Sequence, residues 1–399
     1  MSHPTEPAPR TALLLAFDFL PARSPGAAIR SSKLAQHLPE FGWNPLVLSR
    51  DEGLPGPEPI AGVIRLRNPV SPRLSYQLAA ATWASKACNH ARKLAQSTPF
   101  SIIYVTCPPF PLAPAALALG RELGLPVVVD FRDAWALDPY AGGGLLKEAA
   151  QKALCRWVYP PFEANLFRHA HALLMNTPSM EREYRRIYPA AADRMQHVPN
   201  GFDETAFVDC PGPPPRKHPV FLYCGGFAPT PGRSPDVLLQ GMRLALDRGL
   251  TFSLEILGDD SPLVRDAVRR YRLEASVRPL PSVRYRTAIR EMCAADALVL
   301  YQAPGRTAVS AIAGKTFEYL RAGRPILSIA PEGDNTDLVR RYSPASAFVT
   351  DNDPARVAEA FATLLGRLDQ GAVHPEFASL YNRRNIARQI AAVFDRLCP

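Results

Sequence analysis

Runs of apolar residues short enough to be single strands recur along the chain, each followed by a stretch long enough to form a helix. In the first half the runs are Thr11 to Asp18, Pro45 to Ser49, Gly62 to Leu66, Ile102 to Thr106, Val127 to Phe131 and Ala172 to Asn176. Near-continuous apolar strands with helices between them predict a parallel sheet covered on both faces, because parallel neighbours need a long crossover connection. The alternation stops near Phe207. Asp209 to His218 is dominated by proline and has the composition of a stiff, extended linker. Strand-like runs resume at Val220 to Cys224, Phe252 to Leu257, Ala297 to Tyr301, Pro325 to Ile329 and Ala347 to Thr350. The pattern predicts an α/β chain of two doubly wound domains, 1–207 and 220–376, joined through 208–219. A last amphipathic stretch, 377–399, is suited to pack back on the first domain.

Composition narrows the function classes. The 399 residues are 47% hydrophobic and 21% charged, enough to bury two ordinary cores. The seven cysteines contain no C-x-x-C pair and no regular spacing, so neither a zinc site nor a disulfide framework is predicted, and a reducing cytoplasm is the expected compartment. No window approaches the roughly 20 apolar residues that cross a bilayer, and the first ten residues lack a signal-peptide core, so a soluble protein is expected. The formal charge of +9 favours an anionic partner: nucleic acid, a membrane face or a phosphorylated small molecule. The basic residues are scattered instead of forming a stripe interleaved with aromatics, which argues against nucleic acid. Over Leu145 to Phe167 the cations Lys147, Lys152, Arg156 and Arg168 flank Trp157, Tyr159, Phe162 and Phe167. That stretch fits a helix packed on the sheet or a surface lying against an anionic membrane.

In such sheets ligands sit beyond the carboxyl ends of the strands, so the chemistry is sought there. The first such loop, Asp18 to Ala28, contains Gly26 but lacks the three-glycine spacing of a dinucleotide fingerprint, so no nicotinamide cofactor is expected. Asp130-Phe131-Arg132-Asp133 is dense in charge where a strand ends; an internal salt bridge between Arg132 and either aspartate competes with a functional role. Gly225-Gly226, followed by Arg233 at a helix start, suits close approach of a diphosphate. Gly258-Asp259-Asp260 borders a nucleobase or caps the following helix.

The most informative segment is Gly314 to Pro325. Gly314 brings bare backbone to a helix start, where unpaired N–H groups and the helix dipole favour an anion. Lys315 places a cation in that first turn, against the dipole unless an anion is present, and it is the only lysine after Lys217. Glu318, one turn on, presents a carboxylate on nearly the same face, suited to a pair of sugar hydroxyls; the competing reading is an ordinary exposed helix pair. Gly323 and Pro325 end the helix.

In this order the segments resemble the GT-B glycosyltransferases, specifically the retaining group classed as glycosyltransferase family 4, over nearly the whole length. The resemblance is carried by the loop Pro21 to Ala28, by Asp130 to Asp133, by Val198-Pro199-Asn200-Gly201-Phe202-Asp203, by Gly225-Gly226 with Arg233, and by Lys315 to Leu320 with Ala322-Gly323. It implies two Rossmann-like domains facing across a cleft, the first for the acceptor and the second for a nucleoside-diphosphate sugar. Gly225, Gly226, Arg233, Ser310, Gly314, Lys315, Thr316 and Glu318 would hold the donor, with Gly26 reaching toward its phosphates. Asp18, Arg132 and Asp133 would face the acceptor. Arg233 and Lys315 would stabilise the departing diphosphate and Asp133 would assist proton removal, with retention of configuration. The nucleotide-sugar is a co-substrate, and neither a metal nor another cofactor is implied. The implied acceptor is a saccharide, a lipid-linked or a small-molecule hydroxyl, with no nucleic-acid partner, in the cytoplasm or at the inner membrane face.

Two positions depart from the family pattern. Ser310 stands where many members carry a first glutamate that helps hold the sugar, and Gly26 is single where a glycine pair is common. Two rivals follow: a nucleotide-sugar epimerase of the same fold, for which His169, His171 and His197 are poorly suited candidates, and a non-catalytic binding protein that kept the fold.

Overall fold

A computed structural model describes residues 10–22, 25–54, 60–68, 70–71, 76–136, 152–228, 234–303 and 310–399. The chain divides into two compact units, Met1–Asn200 with Arg383–Pro399, and Gly201–Asn382. Where the sequence placed boundaries at 207, 219 and 376, the division falls after Asn200 and again after Asn382. Packing explains the placement. Phe202 and Phe207 join the second unit's core, where Phe202 stacks on Phe377 at 5.6 Å.

The first unit holds a seven-stranded sheet: β1 (Arg10–Ala16), β2 (Trp43–Asp51), β3 (Val63–Arg67), β4 (Ile102–Cys107), β5 (Val127–Phe131), β6 (Ala172–Met175) and β7 (Met195–His197). Their order is β3-β2-β1-β4-β5-β6-β7 and every pairing is parallel. Leu13, Leu14, Ile103 and Val128 are wholly buried, as strands covered on both faces require. One face packs Trp83, Phe131, Phe167 and Tyr184; the other packs Trp43, Tyr104 and the helix Arg383–Leu397 through Ile386, Ile390 and Phe394.

The second unit holds β8 (Val220–Cys224), β9 (Ser253–Leu257), β10 (Val277–Leu280), β11 (Ala297–Tyr301), β12 (Ile326–Ile329) and β13 (Ala347–Val349), in the order β10-β9-β8-β11-β12-β13, again all parallel. Both sheets therefore reverse direction of growth once, between β1 and β4 and between β8 and β11. Such a switch point opens a crevice at the strands' carboxyl ends. The architecture is the α/β arrangement of two doubly wound sheets that the hydrophobic pattern predicts.

Two strands escaped the pattern. β10 is an edge strand interrupted by Pro279, tolerable only because one side of an edge needs no ladder donor. β7 is a three-residue edge strand, too short for a periodic signal. The cysteines also correct an expectation: Cys210 and Cys293 form a disulfide within the second unit, 83 residues apart in sequence with Cα atoms 5.6 Å apart. No spacing rule reveals a pair that only the fold brings together.

Candidate active site

In the second unit, β8 ends at Cys224 and the chain turns at Gly225, whose φ of 137° lies in the region open to glycine. A side chain there would also collide: its Cβ would sit 3.1 Å from Lys315 Nζ and 3.3 Å from the Tyr223 hydroxyl. Gly225 N–H donates to the Leu257 carbonyl at 2.9 Å, and the Phe227 N–H donates to Asp259 Oδ2 at 2.7 Å. The loops after β8 and β9 are thereby tied together. Asp259 is used in this closure and also accepts from Ser261 N–H at 3.1 Å, closing the turn ahead of the helix Pro262–Arg270, which has no side-chain cap.

The helix Gly314–Ala322 starts beside this loop. Lys315 Nζ donates to the Cys224 carbonyl at 2.9 Å and stands over the Tyr223 ring at 4.1 Å. A carbonyl and a π face hold the ammonium at the end of β8, at the switch point. Glu318 is 7% exposed, and its Oε1 accepts from the Tyr285 hydroxyl at 3.2 Å. Tyr319 fixes the helix to the sheet by accepting from Cys224 N–H at 2.8 Å, and burial raises its phenol well above the usual value, so it stays neutral.

Thr316 behaves differently from expectation. Its side chain is wholly buried, its hydroxyl donates to Asn335 Oδ1 at 2.7 Å and its N–H donates to Ala313 O at 2.9 Å. The same Asn335 oxygen accepts from Ala313 N–H at 3.2 Å, so a residue from the neighbouring helix Asp334–Tyr342 caps the start of this one. Gly314 is exposed at that start, Gly226 is exposed on the loop after β8, and Ser310 is half-buried ahead of the helix. Arg233 lies outside the described residues.

The first unit answers its motifs in another way. Asp130 is wholly buried and pairs with Arg30 through Nε at 2.7 Å and Nη2 at 2.8 Å, so the cation it meets is Arg30 and not the neighbouring Arg132. Tyr104 also donates to Asp130. The same Arg30 donates to the carbonyls of Val198 at 2.9 Å and Pro199 at 2.6 Å. One guanidinium thus links helix Pro25–His37, β5 and the segment Val198 to Asn200, and its neighbouring carboxylate outweighs burial to raise its pKa further. Two of the family-like segments are joined by a structural ion pair to the helix that follows a third.

Asp18, 7% exposed, accepts from Arg50 Nη2 at 2.9 Å and the Tyr76 hydroxyl at 3.2 Å. Gly26 is exposed on its helix, with open space where a Cβ would be. Arg132 donates to the Pro108 carbonyl, while Asp133 is exposed; the protein packed around it raises its carboxyl above the usual aspartate range, with Arg132 opposing. Among the described residues no group of three His, Cys, Asp or Glu side chains is placed to hold a metal ion. The chain's Asp351-Asn352-Asp353 triplet is committed elsewhere: Asp353 caps the helix Pro354–Leu365 and Asp351 pairs with Arg356 at 2.7 Å.

Sequence reasoning missed Tyr285 and Asn335. Tyr285 opens a helix 33 residues before Glu318, and Asn335 acts across 19 residues, so neither has a local signal.

The comparisons bear on the fold. Residues 25–201 match the family model described as the glycosyl transferase 4-like domain. The structure is similar to a sucrose-phosphate synthase from Thermosynechococcus elongatus (17% identity, 97% of this chain and 99% of that one, TM-score 0.70). It is also similar to HepE of Anabaena in complex with UDP (16%, 97% and 100%, TM-score 0.65) and to a glycosyltransferase from Rickettsia africae (10%, 97% and 98%, TM-score 0.66). The sequence has no match among curated proteins. The fold is GT-B. Residues 25–201 carry the glycosyl transferase 4-like domain, and the chain as a whole shares its fold with glycosyltransferases of known structure.

Proposed function

We propose that the chain transfers a sugar from a nucleoside-diphosphate donor to an acceptor hydroxyl with retention of configuration. The observation that carries the donor assignment is Lys315 and Glu318 on one short helix whose start meets Gly225 at the switch point of the second sheet. The backbone at Gly225, Gly226 and Gly314 suits close approach of phosphates, Lys315 with Arg233 offsets the charge of the leaving diphosphate, and Glu318 accepts from ribose hydroxyls. The UDP complex of similarly folded HepE supports a nucleotide donor. Protein cations carry the leaving-group charge in this reading, so no metal is needed. Ser310 takes part at the sugar, Gly26, Asp18, Arg132 and Asp133 serve the acceptor side, and the raised carboxyl of Asp133 makes it a better proton acceptor than an ordinary aspartate.

The acceptor is a saccharide, lipid-linked or small-molecule hydroxyl, and the enzyme works in the cytoplasm, peripherally at an anionic membrane face. No helix of the described residues is long and apolar enough to cross a membrane. The test is thermal stabilisation of the purified protein by a panel of UDP-, GDP- and dTDP-sugars, their diphosphates and NAD. Selective stabilisation by one nucleotide-sugar supports the donor site; a flat response across the panel overturns it.

A further inference from the structure

The segment from Lys152 to His169 is helical, with a wider turn over Leu154–Val158 in which Tyr159 N–H donates to the Leu154 carbonyl. Its inner face is ordinary in part: Leu166 and Phe167 are buried in the core against the first sheet, and Cys155 is buried beside the Trp135 carbonyl. That face also buries a carboxylate. Glu163 accepts from Ala136 N–H at 2.7 Å and from the hydroxyls of Tyr184 at 2.8 Å and Tyr188 at 3.0 Å.

The outer face inverts the usual arrangement, in which a solvated helix shows polar residues. Leu154, Trp157, Val158 and Phe162 are exposed, Trp157 by 72% and Phe162 by 51%. Their spacing of one, three and four residues puts them on one side of the helix. Lys152 and Arg156 stand beside them, the Arg156 guanidinium 5.2 Å from the Trp157 ring. No acidic residue occurs from Lys152 to Phe162.

The geometry points to an anionic lipid bilayer as the partner of this face, with Trp157 and Phe162 entering the headgroup boundary and Lys152 and Arg156 meeting lipid phosphates. Charge complementarity favours this occupant: a tryptophan with cations at its edge, on a stretch without an acidic residue from Lys152 to Phe162, matches an interface that is apolar on one side and negative on the other. A protein partner would ordinarily meet a mixed polar rim. The inference deepens the membrane-face reading above and rests on it, but it is independent of the donor site, which lies in the other unit.

The full chain supplies its own probe. Trp43, Trp83 and Trp135 are buried, so the remaining tryptophan, Trp157, is the one whose emission responds to a new surface environment. The experiment is co-sedimentation and tryptophan emission with vesicles of phosphatidylcholine, pure or mixed with phosphatidylglycerol, at low and high salt. The expected result is binding to the anionic vesicles with a blue shift, weakened by salt. Trp157→Ala with Phe162→Ala lowers the partition at least about tenfold. Lys152→Gln and Arg156→Gln lower it about fivefold each. Nucleoside-diphosphate affinity stays unchanged in all of these variants, which separates this face from the donor site. No binding to anionic vesicles, or equal binding by the Trp157/Phe162 variant, overturns the proposal. Self-association of the full chain that this variant abolishes, without vesicle binding, assigns the face to a second copy and overturns it as well.

Discussion

Asp130 in the first unit and Glu318 in the second are both buried carboxylates in family-like segments, yet their surroundings differ in kind. Asp130 meets a guanidinium in two hydrogen bonds and a phenol besides, so its charge is closed inside the protein. Glu318 accepts from a neutral phenol at the start of a neighbouring helix, and Lys315 on the same helix leans on a carbonyl and a ring. A charge met by its opposite is spent on structure; a charge on a helix that starts at a switch point is placed where a ligand can meet it. The difference separates scaffold from site where sequence motifs look alike.

The largest way to test the contrast is to remove the structural partner. Arg30→Met leaves Asp130 buried and unpaired, and urea unfolding is expected to show a loss of about 3–5 kcal/mol. A loss under about 1 kcal/mol would mean that Asp130 is not spent on structure. Next, Cys293→Ala opens the disulfide to Cys210, and the chain-entropy account predicts about 2–4 kcal/mol for a link across so long a loop, read by unfolding with and without reductant. Identical curves in the two conditions would show that the pair is not oxidised in the purified protein. Smaller still, Tyr285→Phe removes one hydrogen bond from Glu318, and donor affinity is expected to fall about fivefold while the unfolding midpoint holds.

Glu163 sharpens the rule. Its partners are also neutral, but it is sealed in the core, and burial raises its carboxyl above the usual glutamate range despite three hydrogen bonds that lower it. The folded state therefore holds its proton more tightly than the unfolded chain. Its contribution to stability is full below the unfolded value and is lost as pH rises through the folded one. Glu163→Gln should flatten that decline in unfolding free energy. An unchanged pH profile would show that Glu163 is not the group responsible.

Most of the fold was legible because covered parallel strands are apolar along nearly their whole length, as Ala172 to Met175 and Ala297 to Tyr301 are. Edge strands escape that requirement, which hid β7 and β10. Gly314, Lys315 and Glu318 were legible because a helix start, a cation and a carboxylate fall within five residues. Tyr285, Asn335 and the Arg30–Asp130 pair were hidden because each acts between elements distant in the chain. The inward bond of the Thr316 hydroxyl to Asn335 was hidden in the same way.

The central claim is that the helix Gly314–Ala322 holds the donor nucleotide. Titration calorimetry of UDP, GDP and dTDP against the native chain and Glu318→Ala tests it most directly. The account predicts measurable binding of one diphosphate to the native chain and a loss of at least about tenfold in the variant, since hydrogen bonds to a charged acceptor are the strong ones. Equal affinity in the two proteins would contradict it.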